Sequence, residues 1–262
     1  MLPGEKHAPD WRDAAAYAPL LNADRAIFAW EWLRREQGYR AAAGRMLARE
    51  ATNSPTGLPA VPGPEAWGLH RFEAPGLAAP FARPLWSANV HPAVLSVAAE
   101  GACSSEDAFE LSQLGALATV AVDASGGEHL LLSDGLRSIR IDVIEGTAAS
   151  GVVQLRYHLR GFALLEGPLL SLRRLLALRR TGRFSPLLHP PELRARRWLL
   201  MLRAYDALSQ GANQREIAAE LLSRSAEDRC WRNLAPSIRS QAQRLVRGAR
   251  QMAGGGYLTL LS

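Results

Sequence analysis

The spacing of apolar residues changes twice along the chain, and this change restricts the fold class more than any other feature of the sequence. Residues 118–161 contain short alternating or β-branched runs, "ATVAVDA", "EHLLLSD", "SIRIDVIE" and "VVQLRYHLRG", separated by the turn-forming pieces "SGG", "DG" and "GTAASG". The stretches before residue 50 and after residue 168 show a helical period instead. We therefore predict an α+β protein with a helical N-terminal segment, a small antiparallel β module in the middle and an all-α C-terminal domain.

Proline and glycine mark the first boundary between these parts. The segment "ATNSPTGLPAVPGPEA" contains four prolines and two glycines, a composition typical of a linker with some polyproline stiffness. The run "HPAVLSVAA" at residues 91–99 is a candidate for one more strand. The predicted organisation is a helical domain in 1–50, a linker in 51–66, the β module in 67–165 and the all-α domain in 168–262.

Charge is distributed very unevenly over these parts. The whole chain has a net charge of +6, but residues 1–62 carry +1, residues 63–167 carry −6 and residues 168–262 carry +11. No acidic residue follows Asp228. Such asymmetry is typical of a domain that binds a polyanion, either a nucleic acid or an anionic membrane surface.

The most basic helix lies near the end of the chain. Residues 236–252, "PSIRSQAQRLVRGARQM", contain four arginines and no acidic residue. Since each helical residue advances by about 100°, the polar residues fall on one side and the apolar residues on the other. A solvated face normally mixes charges of both signs, because like charges four residues apart destabilise a helix. The cationic side therefore predicts a polyanionic partner and comprises Arg239, Ser240, Gln243, Arg244, Arg247 and Arg250.

A shorter helix precedes this one and completes a recognisable arrangement. The piece "NQREIAAEL" has Asn213 as an N-cap candidate and Glu216 three residues later, which predicts a capping box. A helix that stops at Gly211, a short turn, the capped helix and the later basic helix resemble a helix-turn-helix unit. About fourteen residues, "SRSAEDRCWRNLAP", lie where the usual turn has three or four. We therefore predict a helix-turn-helix variant with an inserted element.

The basic helix supplies side chains suited to reading double-stranded DNA. Arginine pairs with guanine and glutamine with adenine in the major groove, so we assign Gln243, Arg244 and Arg247 to base contacts. Phosphate contacts are assigned to Arg239, Arg250 and Arg232. A second assignment stays open at this point. If the reading helix is 213–223, the residues at the groove are Asn213, Gln214 and Arg215.

The N-terminal segment "NADRAIFAWEWLRREQG" predicts a helix with Asn22 as the N-cap candidate and Gly38 as a break before a second helix. Its large apolar side chains point in nearly every direction, so several sides must be covered. One interpretation is that the helix packs into the core of this chain. The other is a contact surface for another protein such as RNA polymerase, formed by Trp30, Trp32, Arg34 and Arg35.

Several function classes lack support in the sequence. The six histidines are dispersed without a metal-binding or catalytic spacing, and no phosphate-binding glycine motif is present. The two cysteines, Cys103 and Cys230, are far apart and show no zinc-ligand spacing. No apolar run reaches the length of about 18 residues that a membrane span needs. We therefore expect a cytoplasmic protein that is not an enzyme and has no catalytic residues, metal or cofactor.

Both ends of the chain resemble a known family. The C-terminal pieces "LLSLRRLLALRRTGRF", "ELRARRWLLMLRAYDAL", "REIAAELL" and "SIRSQAQRLVRGARQMAGGGYLTLL" resemble the domain that FseA-type transcriptional activators of integrative and conjugative elements share with their short, QseM-type antiactivators. The N-terminal segment "PDWRDAAAYAPLLNADRAIFAWEWLRREQGYRAAA" is similar to the regulator-like domain of the long, activator forms. The residues that carry this second match are Asp10, Trp11, Tyr17, Arg25, Trp30, Glu31, Trp32 and Arg34.

The resemblance implies a sequence-specific regulator that binds double-stranded promoter DNA and activates genes for excision or transfer of a mobile element. It also implies that RNA polymerase and a small antiactivator are partners. The alternative interpretation is a protein-interaction module, an antiactivator or adaptor, that uses its basic helix to bind an acidic protein rather than DNA. The sequence leaves the oligomeric state open.

Overall fold

A computed structural model describes the chain at residues 9–52, 62–101, 104, 106–149, 151–223 and 236–262. Helices at both ends flank a central sheet, which confirms the α+β class, with 46% helix and 17% strand. The helices are α1 Ala14–Tyr17, α2 Arg25–Leu33, α3 Gln37–Thr52, α4 Glu166–Thr181, α5 Ala195–Ser209, α6 Gln214–Leu221 and α7 Pro236–Ala253. The strands are β1 Leu95–Gly101, β2 Ala108–Glu110, β3 Ala118–Val122, β4 Glu128–Ser133, β5 Ser138–Glu145 and β6 Val152–His158.

The start of α2 differs from the sequence prediction. Asn22 ends a short 3₁₀ helix, so its assignment as the N-cap was wrong. Asp24 caps α2 instead, because its backbone is extended and its carboxylate accepts a hydrogen bond from the Ile27 N–H at 3.0 Å. The break before α3 falls at residues 34–36, and Gly38 lies inside the first turn of α3.

The six strands form one sheet in the order β2-β6-β1-β5-β4-β3. Neighbouring strands are antiparallel except for β1 and β5, which are parallel with Leu95 opposite Ile141. The predicted strands are all present, but the predicted antiparallel module contains one parallel pair, because β1 lies between β5 and β6 and runs parallel to β5. The apolar pattern of a strand determines which face it buries and does not determine which strand lies beside it.

The side chains of β4 and β5 alternate between two covered faces of the sheet. On one face, Leu130 and Ile141 pack in a core with Leu175 and Leu178 of α4. On the other face, the buried Arg140 donates to the Trp86 carbonyl at 2.8 Å, and the Trp86 indole N–H donates to the Ala26 carbonyl at 3.1 Å. The N-terminal segment therefore covers the face of the sheet opposite α4.

The C-terminal helices follow the predicted order. Helix α4 ends at Gly182, whose φ of 69° is the left-handed conformation that glycine adopts most easily at a helix end. Helix α5 begins at Ala195, four residues after Pro191, and ends at Ser209, close to the predicted stop at Gly211. Helix α6 has the predicted capping box of Asn213 and Glu216. The glycines after α7 form a turn that leads into the 3₁₀ helix Gly256–Leu260.

The N-terminal and C-terminal helices share one apolar core. Phe28 of α2 makes an edge contact with Trp198 of α5 at a centroid distance of 5.1 Å, and Trp32 contacts Tyr205 at 5.8 Å. Val246 of α7 is buried in the same cluster. The two helical segments therefore pack as one unit. The predicted domain boundaries stay a prediction. No helix in the described part of the chain is both long enough and apolar enough to cross a bilayer.

Candidate nucleic-acid interface

Helix α7 has the two faces that its sequence predicts. Ala242 and Ala249 are fully buried, and Val246 and Met252 are each only 8% exposed. These residues pack against α5 and α6, so the apolar half of α7 is covered by the protein itself. The other half faces solvent. All six predicted interface residues of this helix are exposed, namely Arg239, Ser240, Gln243, Arg244, Arg247 and Arg250.

The exposed arginines of α7 are not neutralised by the acidic middle of the chain. Within the described residues, none of Arg239, Arg244, Arg247 and Arg250 forms an ion pair or a side-chain hydrogen bond. Several carboxylates of the sheet are instead paired with the sheet's own cations, as with Glu145 and Arg156 at 2.9 Å. As far as the described residues show, the cationic face of α7 is therefore available to a partner.

The dimensions of this face suit a DNA groove. At a rise of 1.5 Å per residue, Arg239 and Arg250 are separated by about 16 Å along the helix axis. This distance corresponds to about five base-pair steps of B-DNA, and the major groove accommodates one α-helix. One helix face can therefore place arginines at both base edges and flanking phosphates.

Helix α6 presents a different surface. The side-chain oxygen of Asn213 accepts hydrogen bonds from the N–H groups of Arg215 and Glu216 at 2.9 and 3.1 Å, so it is occupied in capping the helix. Gln214 is half-buried and Arg215 is exposed. Two acidic side chains of this helix, Glu216 and Glu220, are also exposed. Carboxylates repel phosphates, so α7 is better suited than α6 to enter the groove.

The remaining predicted DNA contact, Arg232, lies outside the described residues, as does the rest of the segment 224–235 that joins α6 to α7. The inserted element that the sequence predicts there therefore stays a prediction. Its two ends are described, since α6 ends at Leu221 and α7 begins at Pro236.

Gly248 allows α7 to approach α5 closely. A Cβ atom at this position would lie 3.1 Å from Cε and 3.3 Å from Sδ of Met201. We expect Gly248→Leu to lower the free energy of unfolding by about 1–3 kcal/mol, because the larger side chain overpacks this contact. Gly44→Leu is the matched control, since Gly44 is an exposed helical glycine with nothing within 4 Å of its Cβ position. Urea unfolding measures both changes, and equal effects would contradict the proposed close contact.

The predicted contact surface on α2 is not formed in this structure. Trp30 and Trp32 are 0% and 1% exposed, and the Trp30 indole N–H donates to the Leu77 carbonyl at 2.9 Å. The side chains of Arg34 and Arg35 are buried against Glu31. These four residues cannot contact another protein in this conformation, so the interaction assignment is corrected to the alternative of core packing. An all-round apolar helix needs cover, and α5 and residues 67–86 provide it.

A buried ionic cluster, which sequence reasoning missed, joins the two helical segments. Arg35 donates to both carboxylate oxygens of Asp206 in α5, at 2.7 and 2.9 Å, and to Glu31 at 2.6 Å. The Tyr17 hydroxyl donates to Asp206 at 2.6 Å. Burial and the adjacent Asp206 raise the pKa of Tyr17, which therefore stays a hydrogen-bond donor. The Asp206 and Glu31 charges balance those of Arg34 and Arg35, so the cluster can be buried without a net charge.

Two family models match the parts of the chain just described. A model described as a T6SS transcription factor DNA-binding domain of the RovC type matches residues 166–262, and a proteobacterial transcriptional regulator-like domain matches residues 10–73. The chain is a transcriptional regulator with a DNA-binding domain. No curated protein matches it at a significant level. The DNA-binding match includes α4 to α7, and the regulator-like match includes Tyr17, Glu31 and Arg35 of the buried cluster.

The structure explains the pattern of aromatic and charged residues in the N-terminal segment of the regulator. Trp11, Tyr17, Trp30 and Trp32 are each at most 1% exposed, and Glu31 lies in the buried ionic cluster. The conspicuous aromatic and charged residues of this segment therefore hold it on the DNA-binding domain. The sequence contained one signal for this role. A helix that is apolar on all sides must be covered on all sides, so the charged residues next to its apolar residues are expected to be buried as well.

Proposed function

We propose that the regulator binds double-stranded promoter DNA in a sequence-specific manner through the exposed face of α7 and activates the genes next to its site. The observation that carries this proposal is the arginine face of α7. It is exposed and has no partner in the described part of the chain, while the opposite face is fixed on α5 and α6. A rigidly held cationic helix is the element that helix-turn-helix proteins place in the major groove.

The proposed division of labour follows the position of each side chain on α7. Gln243, Arg244 and Arg247 lie along the middle of the helix and contact base edges, whereas Arg239 and Arg250 lie nearer its ends and contact phosphates. The helix-turn-helix variant consists of α6, the intervening segment and α7. In this arrangement α6 stabilises α7 from behind, since Ala218 of α6 and Ala242 of α7 are both fully buried in one small cluster.

The resemblance to FseA-type activators supports genes for excision or transfer of a mobile element as targets. The name of the DNA-binding family model raises type VI secretion genes as a second target class. An activator also requires RNA polymerase as a partner, and the same resemblance supports control by a small antiactivator. Capture of chromosomal DNA fragments with the full-length regulator distinguishes the two gene classes, because it identifies the neighbouring genes directly. Recovery of no enriched fragment would favour the protein-interaction alternative, in which the basic helix binds an acidic protein.

Single substitutions test the assignment of each side chain. We expect Arg239→Ala to weaken binding to all DNA sequences alike and to lower the slope of log affinity against log salt by about one unit. We expect Gln243→Ala to weaken the free energy of DNA binding by about 1–3 kcal/mol and to relax the base preference at one position of the site. Gel-shift titrations at several salt concentrations, with the captured site and single-base variants of it, measure both effects. The control is Arg45→Ala, an exposed arginine of α3, and wild-type behaviour of both α7 variants would refute the assignment.

A further inference from the structure

Outside helix α7, two histidines and two aspartates form a cluster at the central sheet. His129 of β4 and Asp142 of β5 are directly opposite each other in the antiparallel pair. The His129 Nδ1 atom lies 2.7 Å from Oδ1 of Asp142, and its Nε2 atom lies 3.1 Å from Oδ2 of Asp123. Both ring nitrogens of His129 therefore face carboxylates.

A second imidazole comes from the N-terminal part of the chain. The ring of His70 stacks on the ring of His129, with a centroid distance of 3.4 Å and an angle of 20° between the planes. The Nε2 atom of His70 is buried and has no hydrogen-bond partner among the residues that the structure describes. A buried nitrogen without a partner is unfavourable, so it marks a position where a ligand is expected.

The charges around the two rings favour a cation. Asp123 and Asp142 contribute two negative charges, and Arg140, which lies 2.7 Å from Oδ1 of Asp142, contributes one positive charge. The remaining negative charge favours a cation beside the two rings, and a metal ion there would also give Nε2 of His70 a partner.

We propose that His70, His129 and Asp142 bind a divalent transition-metal ion of the zinc type. Their donor atoms all lie within 4.8 Å of one another. Two imidazole ligands of one tetrahedral zinc ion are separated by roughly 3.3 Å, given metal–nitrogen bonds of about 2.0–2.1 Å. The two rings must move apart from their stack for both lone pairs to point at one ion, because imidazoles that share a zinc ion converge on it rather than lie face to face. Imidazole and carboxylate are ligands that zinc accepts, and the ion replaces the proton of His129 in its contact with a carboxylate.

The surroundings of the site agree with this ligand set. Asp123 contacts Nε2 of His129 at 3.1 Å, whereas Asp142 contacts Nδ1, so Asp123 can orient the imidazole from the side opposite the proposed ion. The loop that carries Asp123 is held by its own hydrogen bonds, since Oδ1 accepts from the N–H groups of Ser125 and Gly127 at 2.8 and 2.9 Å.

The position of the site connects two parts of the chain. His70 belongs to the segment matched by the regulator-like domain, residues 10–73. His129 and Asp142 belong to the sheet, which neither family model includes. A bound ion therefore fixes the regulator-like segment on the sheet. This inference does not depend on DNA binding by α7.

The test uses full-length protein without a histidine tag, stripped with a chelator and titrated with zinc chloride by calorimetry. We expect one zinc ion per chain and an increase in the melting temperature when zinc is added. Cobalt chloride, used as a spectroscopic probe, is expected to give the visible bands of a low-coordinate site. His70→Gln and His129→Gln are each expected to weaken zinc binding at least tenfold, because each removes a ligand. His158→Gln, a histidine of β6 outside the cluster, is the matched control.

Each remaining outcome overturns the proposal. Less than about 0.2 equivalents of zinc bound by the wild type would show that only a proton or water occupies the site. Unchanged binding by the His70→Gln/His129→Gln double variant would place the metal elsewhere, and a Cys103→Ser/Cys230→Ser variant would then show whether the cysteines hold it. Circular dichroism of every variant is compared with that of the wild type. If His70→Gln does not fold, His70→Asn and the cobalt spectrum of Asp142→Asn decide the question.

Discussion

Replacing the four exposed arginines of α7 by glutamine is expected to weaken DNA binding at least about a thousandfold at 0.15 M salt. The two proposed phosphate contacts, Arg239 and Arg250, contribute about 1.8 to the slope of log affinity against log salt, which corresponds to about 30-fold at 0.15 M relative to 1 M salt. The two proposed base contacts, Arg244 and Arg247, contribute about 1–3 kcal/mol each to the free energy of binding, which is at least about another 30-fold together. Glutamine preserves helix propensity, and the four side chains are exposed, so the fold should persist. The substituted residues are Arg239, Arg244, Arg247 and Arg250.

The matched control removes the same number of positive charges from another surface. Four exposed arginines on and beside α4, which packs on the sheet rather than on α7, serve this purpose: Arg160, Arg173, Arg180 and Arg183. Long-range electrostatics alone would weaken binding equally in both variants, because the net charge of the protein would be the same. A much smaller loss in the α4 control, with a nearly unchanged salt slope, is the result that supports contact by α7. Fluorescence anisotropy with a labelled DNA site, measured from about 0.05 to 0.5 M salt, distinguishes direct contact by α7 from long-range electrostatics.

Asp206→Ala is expected to lower the free energy of unfolding by about 3–5 kcal/mol. The side chain of Asp206 is 1% exposed and accepts hydrogen bonds from Arg35 and Tyr17. Its removal leaves a buried guanidinium with only part of its counter-charge, and breaking a buried ion pair in this way is strongly destabilising. Urea unfolding followed by circular dichroism measures the change.

Two further variants test the physical reason for this loss. Replacing both partners by apolar residues, Arg35→Met with Asp206→Leu, should cost much less than the sum of the single changes, because no unpaired charge remains. Asp10→Ala serves as the exposed control, since Asp10 and Arg12 form a pair at 4.0 Å with both side chains more than half exposed. A loss below 1 kcal/mol for Asp206→Ala would contradict a structural role for the buried cluster.

The buried cluster also joins the two segments that the family models match. Tyr17, Glu31 and Arg35 lie in the regulator-like segment, and Asp206 lies in the DNA-binding domain. Helix α5, which carries Asp206, also supports the apolar face of α7. The regulator-like segment is therefore bonded to the helix on which the proposed DNA-binding helix packs.

The sequence predicted those features that depend on local periodicity. The division of α7 into two faces follows from the angle between successive residues, and the structure confirms its buried and exposed sides. The capping box of α6 is formed as predicted, because it involves residues three positions apart. Five of the six described strands were identified for the same reason, since alternation is a property of consecutive residues, whereas the three-residue strand β2 was not predicted.

Features that depend on distant residues were not predictable in this way. The place of β1 in the sheet, the burial of Trp30 and Trp32 under other segments, and the meeting of His70 with His129 each depend on contacts between remote parts of the chain. The correct N-cap of α2 was missed for a smaller reason. Asn22 and Asp24 are both good capping residues, and the choice depended on the 3₁₀ helix that precedes α2.

The amino-acid order by itself determined the class of the fold, the approximate limits of α6, α7 and strands β3 to β6, and the one-sided charge of α7, because each of these is encoded within a few turns of helix or one strand. Only the tertiary structure decided that the arginines of α7 stay clear of the acidic sheet, that both helical segments share one core, and that two remote histidines stack on each other. The physical reason is that such contacts are selected by the packing of the whole chain, to which any one segment contributes only part of the free energy.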